Sequence, residues 1–208
     1  MTLAEMKTDV RRRLNESGSE FFSDDDIATA LQEALDEMAD ITEFSEREAT
    51  IGLLTGRTYY DLTSVLPDTF LSPRRGWNTV TQRWLKPTDA RDLDEHTFVQ
   101  WELTYGEAVS YFLRGNWWLG AWPRNSTDTG GLRVVYTSIP SALSDSDSPA
   151  FPVEFHDGVV EFAQADLLGQ ERETQKALLH WAAGMEYAAR LSEHVQKRQQ
   201  IPRRDVLA

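Results

Sequence analysis

Residues 27–41 set the tightest limit on how this chain can fold. Ile27, Ala30, Leu31, Ala34, Leu35, Met38 and Ile41 recur at helical spacing, so a helix here carries one apolar stripe and polar flanks. Ser23 with Asp26 forms a capping signature ahead of it, and Phe22 is placed to staple against Ile27. Asp24, Asp25 and Asp26 suit the positive end of the helix dipole. Such a helix must be covered by other helices. Thr2 with Glu5 caps one, carrying Leu3, Met6, Val10 and Leu14 up to the polar turn at 15–19. Beyond Pro152, Phe155, Val159 and Phe162 keep the helical period until Gly169. A last helix opens at Glu171 and Glu173, carries Leu178, Trp181, Met185, Ala188 and Val195, and ends in Lys197 and Arg198. Its Ala182-Ala183-Gly184 run leaves room for a close neighbour.

The middle of the chain changes character. Segments 49–54 and 57–62 flank Thr55-Gly56, which reads as a hairpin turn. Segment 77–85 reads as one strand closed by Lys86-Pro87, and 89–95 as a short helix. Segments 109–114 and 117–122 flank Gly115-Asn116, a second hairpin, and 132–139 runs from the Gly130-Gly131 turn to Pro140. The expected class is α+β: a four-helix bundle drawn from the two chain ends, 1–48 and 150–198, with an antiparallel β-domain inserted at 49–140. A linker at 141–149 and an extended C-terminal tail at 199–208 complete it.

Charge and tryptophan follow the same division. The chain of 208 residues carries a net charge of −13. Residues 1–49 hold five Lys or Arg against fourteen Asp or Glu, residues 50–140 nine of each, and residues 141–208 seven against eleven. Trp77, Trp84, Trp101, Trp117, Trp118 and Trp122 all lie in the neutral middle, leaving Trp181 outside it. An acidic chain of this kind lacks the clustered cations that grip nucleic acid phosphates. Without cysteine it has no disulfide, thiolate zinc site or Cys nucleophile. No secretory signal and no run of roughly 18 apolar residues is present, so a soluble protein made in a cytoplasm, with no membrane partner, is expected.

Catalytic signatures are missing. The sequence has no Gly-x-Ser-x-Gly elbow, phosphate-binding Gly-x-x-x-x-Gly-Lys, Gly-x-Gly-x-x-Gly or His-Glu-x-x-His. His96, His156, His180 and His194 stand in separate settings. His156 reads as a surface or interface residue, its acidic neighbours falling on other helix faces. No enzyme activity, metal or cofactor is expected. Two features remain open to function. The tryptophans, above all Trp117, Trp118 and Trp122, fit either a small β-core with a subunit seam or a stacking platform for sugars or bases, and the first is favoured. The tail has Pro202 as a helix breaker, two arginines and apolar Ile201, Val206 and Leu207, a composition that fits a groove or sheet edge on a partner.

Tyr60-Asp61-Leu62, Pro67, Phe70 and Leu85-Lys86-Pro87-Thr88 resemble the β-region of the head-to-tail adaptors, or connectors, of tailed bacteriophages. So do Leu132-Arg133-Val134-Val135-Tyr136, Ile139-Pro140, Leu143-Ser144-Asp145, Pro152-Val153-Glu154-Phe155-His156-Asp157 and Lys176-Ala177-Leu178-Leu179-His180-Trp181. Ser64 departs from the proline expected after the Tyr-Asp-Leu motif. The resemblance implies a structural virion protein, assembled in the bacterial host cytoplasm. Its copies, usually twelve, form a ring between the portal and the tail or nozzle protein, and DNA passes through without specific binding. It also implies a portal-binding tail made of Lys197, Arg198, Gln199, Gln200, Ile201, Pro202, Arg203, Arg204, Asp205, Val206 and Leu207. Trp117, Trp118 and Trp122 would then face neighbouring subunits or tail proteins. A carbohydrate-binding module using the tryptophan-rich region is the alternative.

Overall fold

A computed structural model describes residues 1–15, 21–64, 69–96, 100–115, 117–128 and 130–200, with backbone alone at 64, 96 and 198–200. The fold is α+β. Among the described residues its five α-helices are α1 (Leu3–Arg13), α2 (Asp24–Thr42), α3 (Ala90–His96), α4 (His156–Gln170) and α5 (Thr174–Gln200). The chain divides into two compact units: Met1–Ser45 with Ile139–Ala208, and Glu46–Ser138.

In the first unit both capping boxes form. The Thr2 hydroxyl accepts from the Glu5 N–H while the Glu5 carboxylate accepts from the Thr2 N–H, and Ser23 and Asp26 repeat the exchange. The Ser23 hydroxyl and N–H hold the Asp26 carboxyl below its ordinary range. The stripe of α2 is buried with Leu3, Met6 and Val10 of α1, Val159, Phe162 and Leu167 of α4, and Ala188 and Leu191 of α5. Helix α4 is buried on almost every side, from His156 and Val159 through Gln164 to Leu168, well beyond the line through Val159 and Phe162 that its sequence shows. Two glycines let α4 and α5 meet closely. A Cβ on Gly158 would stand 2.5 Å from Tyr187 of α5, and one on Gly184 would stand 2.8 Å from the Phe162 ring of α4. Arg13 closes the polar side, pairing with Asp9, with Asp157 at 2.8 Å and with Glu161 at 2.5 Å, while His180 Nδ1 lies 2.7 Å from the same Glu161.

Helix α5 departs from its expected orientation. Ala188 is buried and Val195 partly so, but Leu178, Trp181 and Met185 are exposed, and the inward line runs through Gly184, Ala188 and Leu191. The Gly184–Phe162 contact explains this: the smallest side chain faces the neighbour, which turns the larger apolar residues outward.

The described residues of the second unit hold nine strands: β1 (Glu46–Gly52), β2 (Tyr59–Asp61), β3 (Phe70–Asn78), β4 (Arg83–Pro87), β5 (Tyr105–Gly106), β6 (Ser110–Arg114), β7 (Trp118–Trp122), β8 (Arg124–Asn125) and β9 (Gly131–Ser138). Seven form one sheet in the order β1-β9-β3-β4-β6-β7-β2, and β5 pairs with β8. The sheet is antiparallel except where β4 meets β6, and the β5–β8 pair is also parallel. Residues 88–109 separate β4 from β6 and include α3, the kind of crossover that parallel pairing needs. Ile51, Leu85, Tyr111, Leu119, Leu132 and Val134 belong to the main core, and Leu93, Trp101 and Phe112 to a satellite.

Two strand expectations are corrected. Thr55-Gly56 makes a turn, with Gly56 at φ 69° and the Arg57 N–H donating to the Leu54 carbonyl, but not a hairpin. The Thr55 N–H donates to Asp128 and the Gly56 N–H to the Asn125 carbonyl, so β1 leaves to pair with β9 and β2 with β7. Segment 77–85 is two strands, because the Asn78 side chain accepts from the N–H groups of Val80 and Thr81 and folds the chain back.

Candidate interaction surfaces

Strands β6 and β7 form the expected hairpin, with Arg114 paired to Trp118 and residues 115–117 as the connection. Gly115 takes φ 62°, a left-handed conformation that suits glycine. At this end Trp117, Trp118 and Leu113 are 42%, 44% and 38% exposed. The Arg114 guanidinium lies over the Tyr59 ring at 5.3 Å, beside Trp118. Trp122 differs from its two companions. It shares a face with Trp118 but is half-buried against Leu93, Trp101 and Phe112, and its indole N–H donates to the Trp101 carbonyl at 3.2 Å. Gly120 between them leaves room for the Phe112 ring.

A second aromatic surface escaped the sequence reading. Trp77 and Trp84 face each other across β3 and β4 with ring centroids 5.0 Å apart. Arg133 lies over Trp77 and Arg75 over Trp84, and each arginine has a glutamate 3.8 Å away, Glu48 and Glu46 respectively. The pair becomes visible only once Asn78 is known to turn the chain.

The third surface belongs to α5. Leu178, Leu179, Trp181 and Met185 are exposed there, and beside them the first turns of α5 and the last turns of α4 border an open cleft of about 540 Å³. Ala165, Gly169 and Ala177 open it, Leu178 and Trp181 line it, and Asp166 gives it a carboxylate.

His156 is a core residue, not a surface one. Its Nδ1 faces the Met1 amino nitrogen at 2.7 Å and its Nε2 faces the Phe151 carbonyl at 3.0 Å. The amino group donates, so Nδ1 accepts and the Nε2–H donates to Phe151. Burial pushes its pKa down. Among the described residues no group of three His, Cys, Asp or Glu is placed to hold a metal ion, and no helix is long and apolar enough to cross a membrane. Of the tail, Lys197 is exposed and paired with Glu193 at 2.8 Å on the last turns of α5. Arg198, Gln199 and Gln200 are described by backbone alone, and Ile201, Pro202, Arg203, Arg204, Asp205, Val206 and Leu207 lie outside the described residues.

All three surfaces expose tryptophan to solvent, two of them beside exposed aliphatic residues. No curated protein matches the chain closely enough to count as a relative. A family model described as SU10 adaptor protein matches residues 1–206, in keeping with the head-to-tail adaptor resemblance in the sequence. Across nearly its whole length, the chain belongs to the SU10 adaptor protein family.

Proposed function

We propose that the protein is a structural component of a tailed phage virion, forming a ring between the portal and the tail and extending the channel through which DNA leaves the head. The family match over residues 1–206 carries this reading. The unit containing α1, α2, α4 and α5 acts as a bundle that builds the ring, usually of twelve copies. The sheet unit is an insertion facing neighbouring subunits or tail proteins through Trp117 and Trp118. The tail from Lys197 to Leu207 engages the portal. Asp24, Asp25, Glu33 and Asp40 are exposed on α2 and suit a surface that lets DNA pass without holding it. No catalytic role is assigned.

Electron microscopy of the purified chain mixed with its portal tests the ring directly: annular particles seated on the portal are expected, and free monomers at every concentration would refute it. Deleting residues 197–208 should abolish portal binding, and unchanged affinity would remove the tail from the interface. Carbohydrate binding is a second reading, favoured only by the exposed Trp117 and Trp118. It requires a shift in tryptophan fluorescence with one glycan class that Trp118→Ala abolishes.

A further inference from the structure

The cleft between α4 and α5 is open to solvent and lined mostly by small and apolar side chains. Alanine and glycine at 165, 169 and 177 leave about 540 Å³ beside Leu178 and Trp181, on a helix whose inward line is already filled by Gly184, Ala188 and Leu191. A flat apolar side chain fits this space, and Asp166 favours one with an N–H or a cation next to it.

The same chain carries a group of that description. Trp118 stands at the end of the β6–β7 hairpin with an indole N–H to donate, a large aromatic surface still 44% exposed, and Arg114 paired directly across from it. Leu113 and Trp117 widen the apolar contact. Tryptophan and arginine are the residue types that most often anchor interfaces. Placing Arg114 beside Asp166 also offsets the repulsion between two chains of net charge −13.

We propose that the β6–β7 hairpin of one copy inserts Trp118 into the α4–α5 cleft of the next copy. The inference rests on the ring reading and gives it one specific contact. Knob and cleft are different patches, so the contact is heterologous, the class of interface that a ring repeats from copy to copy. Trp118 is an anchor and not the whole interface, since stable contacts cover about 800 Å² on each partner.

The absence of cysteine makes the test clean. Thr63→Cys, two residues from the Asp61 that pairs with Trp118, is introduced into one full-length chain and Thr174→Cys into another, leaving Arg114, Trp118, Asp166 and Leu178 untouched. The two are mixed at assembling concentration, with portal present, and treated with a short bismaleimide. Covalent dimers should form in the mixture and not with either chain alone, and a chain carrying both cysteines should give a ladder of multimers. Cross-linking of the doubly substituted chain only within itself would overturn the proposal. So would rings seen by microscopy whose mixed chains do not cross-link, an outcome that leaves the ring reading standing. Absence of rings on the portal would refute the ring reading and the contact with it. In parallel, Trp118→Ala should raise the half-assembly concentration at least about tenfold, while Trp84→Ala, a similarly exposed tryptophan on another strand, should not. Equal effects from the two would count against the cleft.

Discussion

Gly184 on α5 lies under the ring of Phe162 on α4, so closely that a Cβ would stand 2.8 Å from a ring carbon. Alanine ordinarily stabilises a helix over glycine by about 1 kcal/mol, but here the added methyl must displace a buried ring that also packs edge-on against Trp181 at 4.9 Å. Overpacking of this kind costs about 1–3 kcal/mol. Gly184→Ala is therefore expected to lower the urea midpoint, and Phe162→Leu in the same chain to recover part of the loss. A midpoint raised by Gly184→Ala alone would show that the two helices stand further apart.

Gln164 sits fully buried on α4, and both polar atoms of its amide lack a partner among the described residues. An unpaired buried polar group costs about 1–3 kcal/mol. Gln164→Met, close in shape and free of that cost, should stabilise the protein by about 1 kcal/mol in chemical denaturation.

Asn78 does two jobs at once. Its carbonyl oxygen accepts from the N–H groups of Val80 and Thr81, and its amide nitrogen donates to the Ala108 carbonyl at 3.1 Å. Asn78→Ala leaves that buried carbonyl without this donor and frees the turn between β3 and β4. A loss of about 2 kcal/mol is expected, together with a changed near-ultraviolet signal from the Trp77–Trp84 pair, whose register depends on that turn.

His156 makes stability pH-dependent in a definite direction. Burial lowers its pKa in the folded chain, so the neutral ring is favoured there. Above the ordinary histidine value of about 6.5 the unfolded chain is neutral at this residue too, and the two states bind equal protons. As pH falls below that value the unfolded chain takes up a proton that the folded chain resists, and stability is lost. Denaturation midpoints measured between about pH 7 and 5 should decline, and His156→Gln should flatten the slope. An unchanged slope in the variant would assign the pH dependence elsewhere.

The elements most legible in the sequence were those specified by nearby residues. Thr2 with Glu5 and Ser23 with Asp26 mark helix starts within four residues, and the α2 stripe needs only a helical period to be seen. Gly115 placed the β6–β7 turn for the same local reason. Signals failed where a distant partner decided the outcome. Thr55-Gly56 has the composition of a hairpin, yet bonds to Asn125 and Asp128, some 70 residues on, separate its strands. Leu178, Trp181 and Met185 share the helical period of a buried stripe, and only the approach of Phe162 to Gly184 shows that the neighbour lies one step around the helix. At the candidate contact surfaces, Trp117 and Trp118 were visible as types, but the cleft was not, since alanines and glycine spread over two helices carry no signal until they meet.

The pairing of β1 with β9 bears on how such a protein can diversify. Glu46, the first residue of the sheet unit, is the antiparallel partner of Thr137, one residue from its end. Antiparallel partners lie about 5 Å apart, so the chain departs and returns through a doorway one strand wide. A short loop could bridge that gap at small entropic cost. The sheet unit is thus a cassette, replaceable by a different or smaller insert while the helices on either side keep their sequence and packing. A lineage of such proteins could exchange this unit and leave the rest of the architecture untouched.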